Sequence, residues 1–212
     1  MFITFEGLDF CGKSTQVEIL KNYLESKGKD VKIIREPGGT EISEKIRDIL
    51  LDKKNSEMTI ESELLLFSSS RAQLVRERII PLLKEGYFVI SDRFHDSSVA
   101  YQGYGRGISI SSVKEIQNFT INGAVPDITF FINVPLEEIS KRRIKHGKDN
   151  LDRIELSANQ FYQRVQRGYL ELCDAESRIK FIDGTKAIEE VHKQIINEIL
   201  HLENLERNKN DK

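Results

Sequence analysis

The sequence predicts an α/β domain with a five-stranded parallel sheet flanked by helices, and three observations lead there. Short runs of apolar, β-branched and aromatic residues recur five times, at 2–5, 31–34, 87–90, 128–134 and 179–182, with helix-spaced sequence between them. Strands alternating with helices pair in parallel through crossover connections. The first run feeds directly into Gly7-Leu8-Asp9-Phe10-Cys11-Gly12-Lys13-Ser14-Thr15, which fits the G-x-x-x-x-G-K-[ST] spacing of a phosphate-binding loop. A strand, that loop and a helix together mark the P-loop NTPase fold. The length of 212 residues, with 39% hydrophobic and 31% charged residues, suits one soluble domain with a sizeable core.

Each element has a local cause. Val17, Leu20 and Leu24 follow the loop at helical spacing, so bound phosphates would sit on a helix N-terminus. After the second strand, Arg35-Glu36-Pro37-Gly38-Gly39 reads as a loop, and Ile42, Ile46, Ile49 and Leu50 mark an amphipathic helix. Residues 60–84 form a longer helical stretch that Pro81 should kink or end early. The third strand closes on Ser91-Asp92-Arg93. The glycine-rich segment from Ala100 to Gly107 reads as too flexible for a core element, and a helix is expected over 111–121. Pro135 suits the first position of the helix after the fourth strand. Residues 141–153 carry the concentrated basic run, expected to be a mobile lid, with Lys141, Arg142, Arg143, Lys145, His146, Lys148 and Arg153. Helices are expected over 154–176 and from the fifth strand to about 205, with a frayed polar tail at 206–212. No repeat or linker divides residues 1–205, so one domain is expected.

The net charge of −2 gives no electrostatic footprint for nucleic acid. No apolar run approaches the ~20 residues of a membrane span, and no signal peptide is visible. Cys11 and Cys173 have no metal or disulfide spacing, which suits a reducing cytoplasm.

In the P-loop, Gly7 and Gly12 let successive N–H groups face phosphate oxygens. Lys13 supplies charge to the β- and γ-phosphates, and Ser14 can ligate magnesium. Asp92, at the end of an apolar strand expected beside the loop, is positioned to hold magnesium directly or through water. Arg93 can hold the phosphates that exchange a group. The loop alone leaves ATPases, GTPases and kinases open. No guanine-reading N-K-x-D stretch is expected in the chain, and motor and transport ATPases are generally larger, so a small-molecule kinase fits better. Phe67 and Arg71 lie four apart and share a helix face, an aromatic surface beside a carbonyl-binding guanidinium. Gln102 can donate and accept together, which matches an imide edge. These features suggest a phosphorylated pyrimidine as acceptor. A deoxynucleoside kinase acting on thymidine is the alternative, but its substrate hydroxyl needs a carboxylate base, whereas arginines stand here. A nucleotide-binding switch without turnover is a second alternative, disfavoured by Lys13, Ser14, Asp92 and Arg93 occurring together.

The chain resembles the thymidylate kinase family nearly end to end. The resemblance is carried by Phe5-Glu6-Gly7 through Thr15, Arg35-Glu36-Pro37-Gly38-Gly39-Thr40, and Leu66-Phe67 with Arg71. Asp92-Arg93-Phe94, Ser98 with Ala100-Tyr101-Gln102-Gly103, Pro126-Asp127 and Asp152-Arg153-Ile154-Glu155 also match. It implies that the loop residues Gly7 to Thr15 bind ATP, that Asp9 binds the deoxyribose 3′-hydroxyl of dTMP, and that Glu36 orders the phosphate site. It implies further that Phe67 stacks on thymine, that Arg71 and Gln102 bond its polar edge beside Ser98, and that Tyr101 favours deoxyribose. Arg93 would bridge the acceptor and γ-phosphates, Arg47 is a weaker candidate for the acceptor phosphate, and residues 183–186 would lie against adenine. Mg²⁺ and a homodimer are implied as well. Phe10 stands where eukaryotic-type members carry an arginine, so the missing cation is expected from the lid: Arg143 or Arg153, with Arg142 in reserve.

Overall fold

The structure, a computed structural model, describes residues 1–145 and 152–210, and nothing of the side chains of 206–210. Five parallel strands form one sheet: β1 (Phe2–Glu6), β2 (Val31–Arg35), β3 (Phe88–Asp92), β4 (Ile128–Asn133) and β5 (Ile179–Asp183). Their order is β2-β3-β1-β4-β5, so β1 is central. Each of the five expected runs is a strand, with ends displaced by at most two residues. The register pairs Phe5 with Asp92 and Arg35 with Asp92, which sets the carboxyl ends of β1, β2 and β3 at one edge.

Both faces are covered, which is why β1 and β4 read as continuous apolar runs rather than alternating ones. On one face Ile3, Phe5, Phe130 and Ile132 pack against Val17, Leu20 and Leu24 of α1 (Lys13–Ser26) and Val191, Ile195 and Ile199 of α9 (Ile188–Asn210). The intervening helices are α2 (Glu41–Leu51), α3 (Ile60–Leu74), α4 (Ile80–Lys84), α5 (His95–Ser98), α6 (Ile110–Ile121), α7 (Leu136–Lys145) and α8 (Asn159–Ala175). On the opposite face Phe131 stacks on Tyr169 of α8 with ring centroids 4.8 Å apart. Around that pair gather Leu64, Val113, Phe161, Val165 and Leu172. A third cluster joins Phe2 and Val89 to Leu74, Val75, Ile79 and Phe94. Thr40 and Thr59 cap α2 and α3 by accepting from the N–H groups of Ser43 and Ser62.

Four expectations need correction. The glycine-rich segment is a core element: Val99–Gly105 is a π-helical stretch whose Tyr101, Gln102, Gly103 and Gly105 are buried. Its glycines serve close packing, since a Cβ on Gly105 would come within 2.6 Å of Phe161, and one on Gly103 within 2.6 Å of Ile110. Pro81 does not end its helix; α3 widens into a π turn at Val75–Ile79 and continues as α4, with Pro81 near its start. The helix expected from 154 begins at Asn159, because residues 153–157 turn back on themselves, with Asp152 Oδ1 accepting from the N–H groups of Ile154 and Glu155. The final helix runs to Asn210 rather than to about 205. The lid expected at 141–153 is described only in part: 141–145 ends α7, and His146 and Lys148 lie outside the described residues.

Candidate active site

The site is assembled at the carboxyl edge of the sheet. Gly12, at φ 104°, is the N-cap of α1, and Gly7, at φ 140°, leaves no room for a Cβ, which would meet the Ile132 carbonyl at 2.6 Å. Lys13 is buried, its ammonium donating to the carbonyls of Leu8 at 2.9 Å and Gly7 at 3.2 Å. The Ser14 hydroxyl donates to Asp92 Oδ2 at 3.0 Å. A hydroxyl and a carboxylate, both hard oxygen donors, thus meet beside the loop.

Arg93 adopts φ 70°, a left-handed conformation unusual for a residue with a side chain. Its guanidinium donates to the Gly7 carbonyl at 2.7 Å and Asp9 Oδ1 at 2.8 Å, and lies 5.1 Å from the centre of the Tyr101 ring. The strained turn is held from below by Glu6, the last residue of β1. Glu6 accepts from the N–H groups of Phe94 at 2.8 Å and Ser97 at 3.3 Å, and from the hydroxyls of Ser97 and Tyr169. Burial, reinforced by the nearby Asp96 charge, pushes the Glu6 carboxyl up to about 7.

Next to Arg93 lies a cavity of about 120 Å³ lined by Asp9, Glu36, Arg47, Phe67, Arg93, Ser98, Tyr101 and Gln102, with Ser97, Leu51, Asp152 and Ile154 among the other walls. The structure therefore brings together eight of the residues expected to bind the acceptor, Arg47 the weaker candidate among them. Arg71, the ninth, stands behind the wall, fully buried. It is ion-paired with Glu36 and donates to Ser98 Oγ, Gln117 Oε1 and the Phe94 carbonyl. Burial raises the Glu36 carboxyl, and Arg71 opposes that. Glu36 Oε1 and the Tyr101 hydroxyl, on two walls of this cavity, are buried without a partner, polar atoms a ligand could satisfy.

A larger cleft of about 540 Å³ opens on the other side of the loop, between Phe10, Cys11, Gly12 and Thr15, Lys141, Arg142 and Lys145 of α7, and Gly184 and Lys186 after β5. Arg142 spans it, donating to the carbonyls of Gly184 at 3.0 Å and Cys11 at 3.4 Å. Between cleft and cavity, Arg143 lines a third recess with Asp9, Phe10, Glu155 and Tyr162. Arg153 is not at the loop: it is ion-paired with Glu63 at 2.8 Å and donates to the Leu50 carbonyl. Against expectation, an N-K-x-D spelling does occur, at Asn208-Lys209-Asn210-Asp211; the backbone of its first three residues ends α9, and Asp211 lies outside the described residues.

Sequence reading missed Glu6, Glu63 and Tyr169. A signal for Glu63 was present, because 63, 67 and 71 are spaced by four and mark one stripe of α3.

A profile of the thymidylate kinase family matches residues 5–195. The chain belongs to the thymidylate kinase family. Thymidylate kinase from Kosmotoga olearia is 49% identical over 201 residues, covering 94% of this chain and 95% of that protein. Thymidylate kinase from Thermosipho africanus is 50% identical over 195 residues, covering 92% and 95%. Among solved structures, thymidylate kinase from Ehrlichia chaffeensis superposes with a TM-score of 0.76 at 35% identity, covering 94% of this chain and 98% of that one. These relatives are bacterial thymidylate kinases, and the P-loop sheet with its flanking helices is common to the family. No helix among the described residues is long and apolar enough to cross a membrane.

Proposed function

We propose that this enzyme transfers the γ-phosphoryl group of ATP to dTMP, giving dTDP and ADP, with ATP in the large cleft and dTMP in the small cavity. The observation that carries the reading is the place of Arg93, bonded to the P-loop at Gly7 and lining the acceptor cavity. Phe67 offers a stacking face, Gln102 and Ser98 offer polar contacts to the base edge, with Arg71 fixing Ser98 and Glu36 from behind. Tyr101 and Asp9 face the sugar, and Arg47 and Glu36 stand at the phosphate end.

The acceptor phosphate oxygen is already a competent nucleophile, so no general base is required. The protein's task is to hold two anionic groups in line and offset their repulsion. Lys13 and the loop amides hold the donor phosphates, Arg93 draws the two phosphates together, and Arg143 supplies further charge from the end of α7. Arg142 closes the cleft between the loop and Gly184. Ser14 and Asp92 would hold Mg²⁺, which when bound offsets the charge of the β- and γ-phosphates. No cluster of three or more acidic, His or Cys ligands occurs among the described residues, which suits an ion carried mainly by nucleotide and water.

We place the enzyme in the cytoplasm as a homodimer. Exposed Ile42 and Ile49 on α2, Leu65 on α3 and Phe119 on α6 provide apolar surface on three helices that pack in series. The test of activity is ADP release with ATP and Mg²⁺ against dTMP, thymidine, dUMP and dCMP. Turnover with dTMP and none with thymidine is expected; turnover with thymidine and none with dTMP would sink the reading.

A further inference from the structure

Glu63 lies one turn before Phe67 on α3 and is 1% exposed. Its carboxylate receives four hydrogen bonds or ion-pair contacts. Oε1 accepts from Gln102 Nε2 at 3.0 Å and from Arg106 Nε at 3.1 Å. Oε2 accepts from Arg106 Nη2 at 3.1 Å and pairs with Arg153 Nη1 at 2.8 Å. Two guanidinium groups facing one buried carboxyl keep it ionised, and an ionised carboxylate can only accept. The amino end of the Gln102 amide is therefore the end that meets Glu63. The amide oxygen is left for the cavity that Gln102 lines with Phe67 and Ser98, and among the described residues nothing donates to it.

A fixed carbonyl oxygen at a base-binding cavity selects for a donor. Thymine and uracil carry N–H at ring position 3, whereas cytosine presents a bare nitrogen lone pair there. Opposite a cytosine, two acceptors would face each other in a desolvated site, leaving both unpaired. An amide free to turn over could satisfy either base.

We propose that Glu63 is a specificity-determining positioning residue: it locks the Gln102 amide with its oxygen towards the base, making the cavity selective for imide pyrimidines over cytosine. The inference rests on the acceptor cavity assigned above. Substituting the carboxylate by an amide reverses the lock. In Glu63→Gln the single carbonyl oxygen takes the Oε2 position, where Arg106 Nη2 and Arg153 Nη1 both donate, and the new amino group takes the Oε1 position, facing Gln102 and Arg106 Nε. Gln102 then turns its oxygen to that donor and its amino group to the cavity.

The experiment is kcat/KM for dTMP and for dCMP, with ATP and Mg²⁺, in wild type, Glu63→Gln and Glu63→Asp. The ratio of the two values on one preparation cancels any loss of folded protein. We expect the dTMP-to-dCMP ratio to fall by about 10-fold or more in Glu63→Gln, as for a site that loses a hydrogen bond built for one substrate. Glu63→Asp, which keeps an ionised acceptor, should hold the ratio within about 3-fold of wild type even where both rates drop. If both substrates lose activity together in Glu63→Gln and the ratio stays put, Glu63 is merely structural and the proposal falls. Wild type that fails on dTMP itself would instead overturn the acceptor-site reading, so the two failures are separable.

Discussion

Arg93 is the residue in which geometry and charge are most tightly joined. Its left-handed backbone costs of order 1 kcal/mol or more and persists because Glu6 and Ser97 hold the turn around it. Arg93→Ala should lower kcat by about 10²-fold or more, as for other preorganised cations at a transferring phosphoryl group, with unchanged circular dichroism. Glu6 gives a pH signature. Its carboxyl titrates near 7 in the fold against 4.5 when free, so the folded state holds the extra proton between those values. The stability it contributes is full below pH about 4.5 and is lost as pH rises towards 7. Glu6→Gln removes that loss, so from pH 4.5 to 7 the variant should gain about 3 kcal/mol relative to wild type in urea titrations. His95 has the opposite sign: burial pushes its imidazole down to about 4, so its contribution is present above pH 6.5 and lost as pH falls towards 4.

At the scale of elements, the strands and the P-loop were legible because their patterns are local: apolar runs of a few residues, and two glycines at fixed spacing. The π-helical stretch Val99–Gly105 was not legible, because glycines spaced for close packing look the same in sequence as glycines spaced for flexibility. What decides between them is Phe161 and Val165, far downstream on α8, against which Gly105 is pressed. Gly105→Ala should therefore destabilise the fold by about 1–3 kcal/mol, read as a shifted denaturation midpoint with an unchanged slope. Within the site, residues belonging to a named spacing were found, while Glu63 and Tyr169 were not, since their roles depend on partners in other elements. The same distance effect separates the two expected lid arginines. Arg143 lies beside Asp9 and Phe10, whereas Arg153 is tied to Glu63 under the acceptor cavity. Single-turnover assays should show Arg143→Ala slowing chemistry, and Arg153→Ala chiefly raising the KM for dTMP. The reverse pattern would exchange their roles.

For the molecule as a whole, the large cleft and the small cavity share one wall, the loop from Gly7 to Gly12, and that wall grows directly out of the central strand. Dimerisation through α2, α3 and α6 would leave this edge of the sheet open; Leu65→Glu should shift the sedimentation coefficient towards the monomer if that face is the interface. The central position of β1 has a consequence for biogenesis. Phe2 pairs with Val89 on one side and Ile3 with Ile128 on the other, so the earliest of the five strands in the chain finds its second neighbour only once β4 has been made. An emerging chain must carry a sticky Phe-Ile-Thr-Phe segment with at least one open edge until β4 is made, which makes nascent chains halted before β4 natural clients for chaperones.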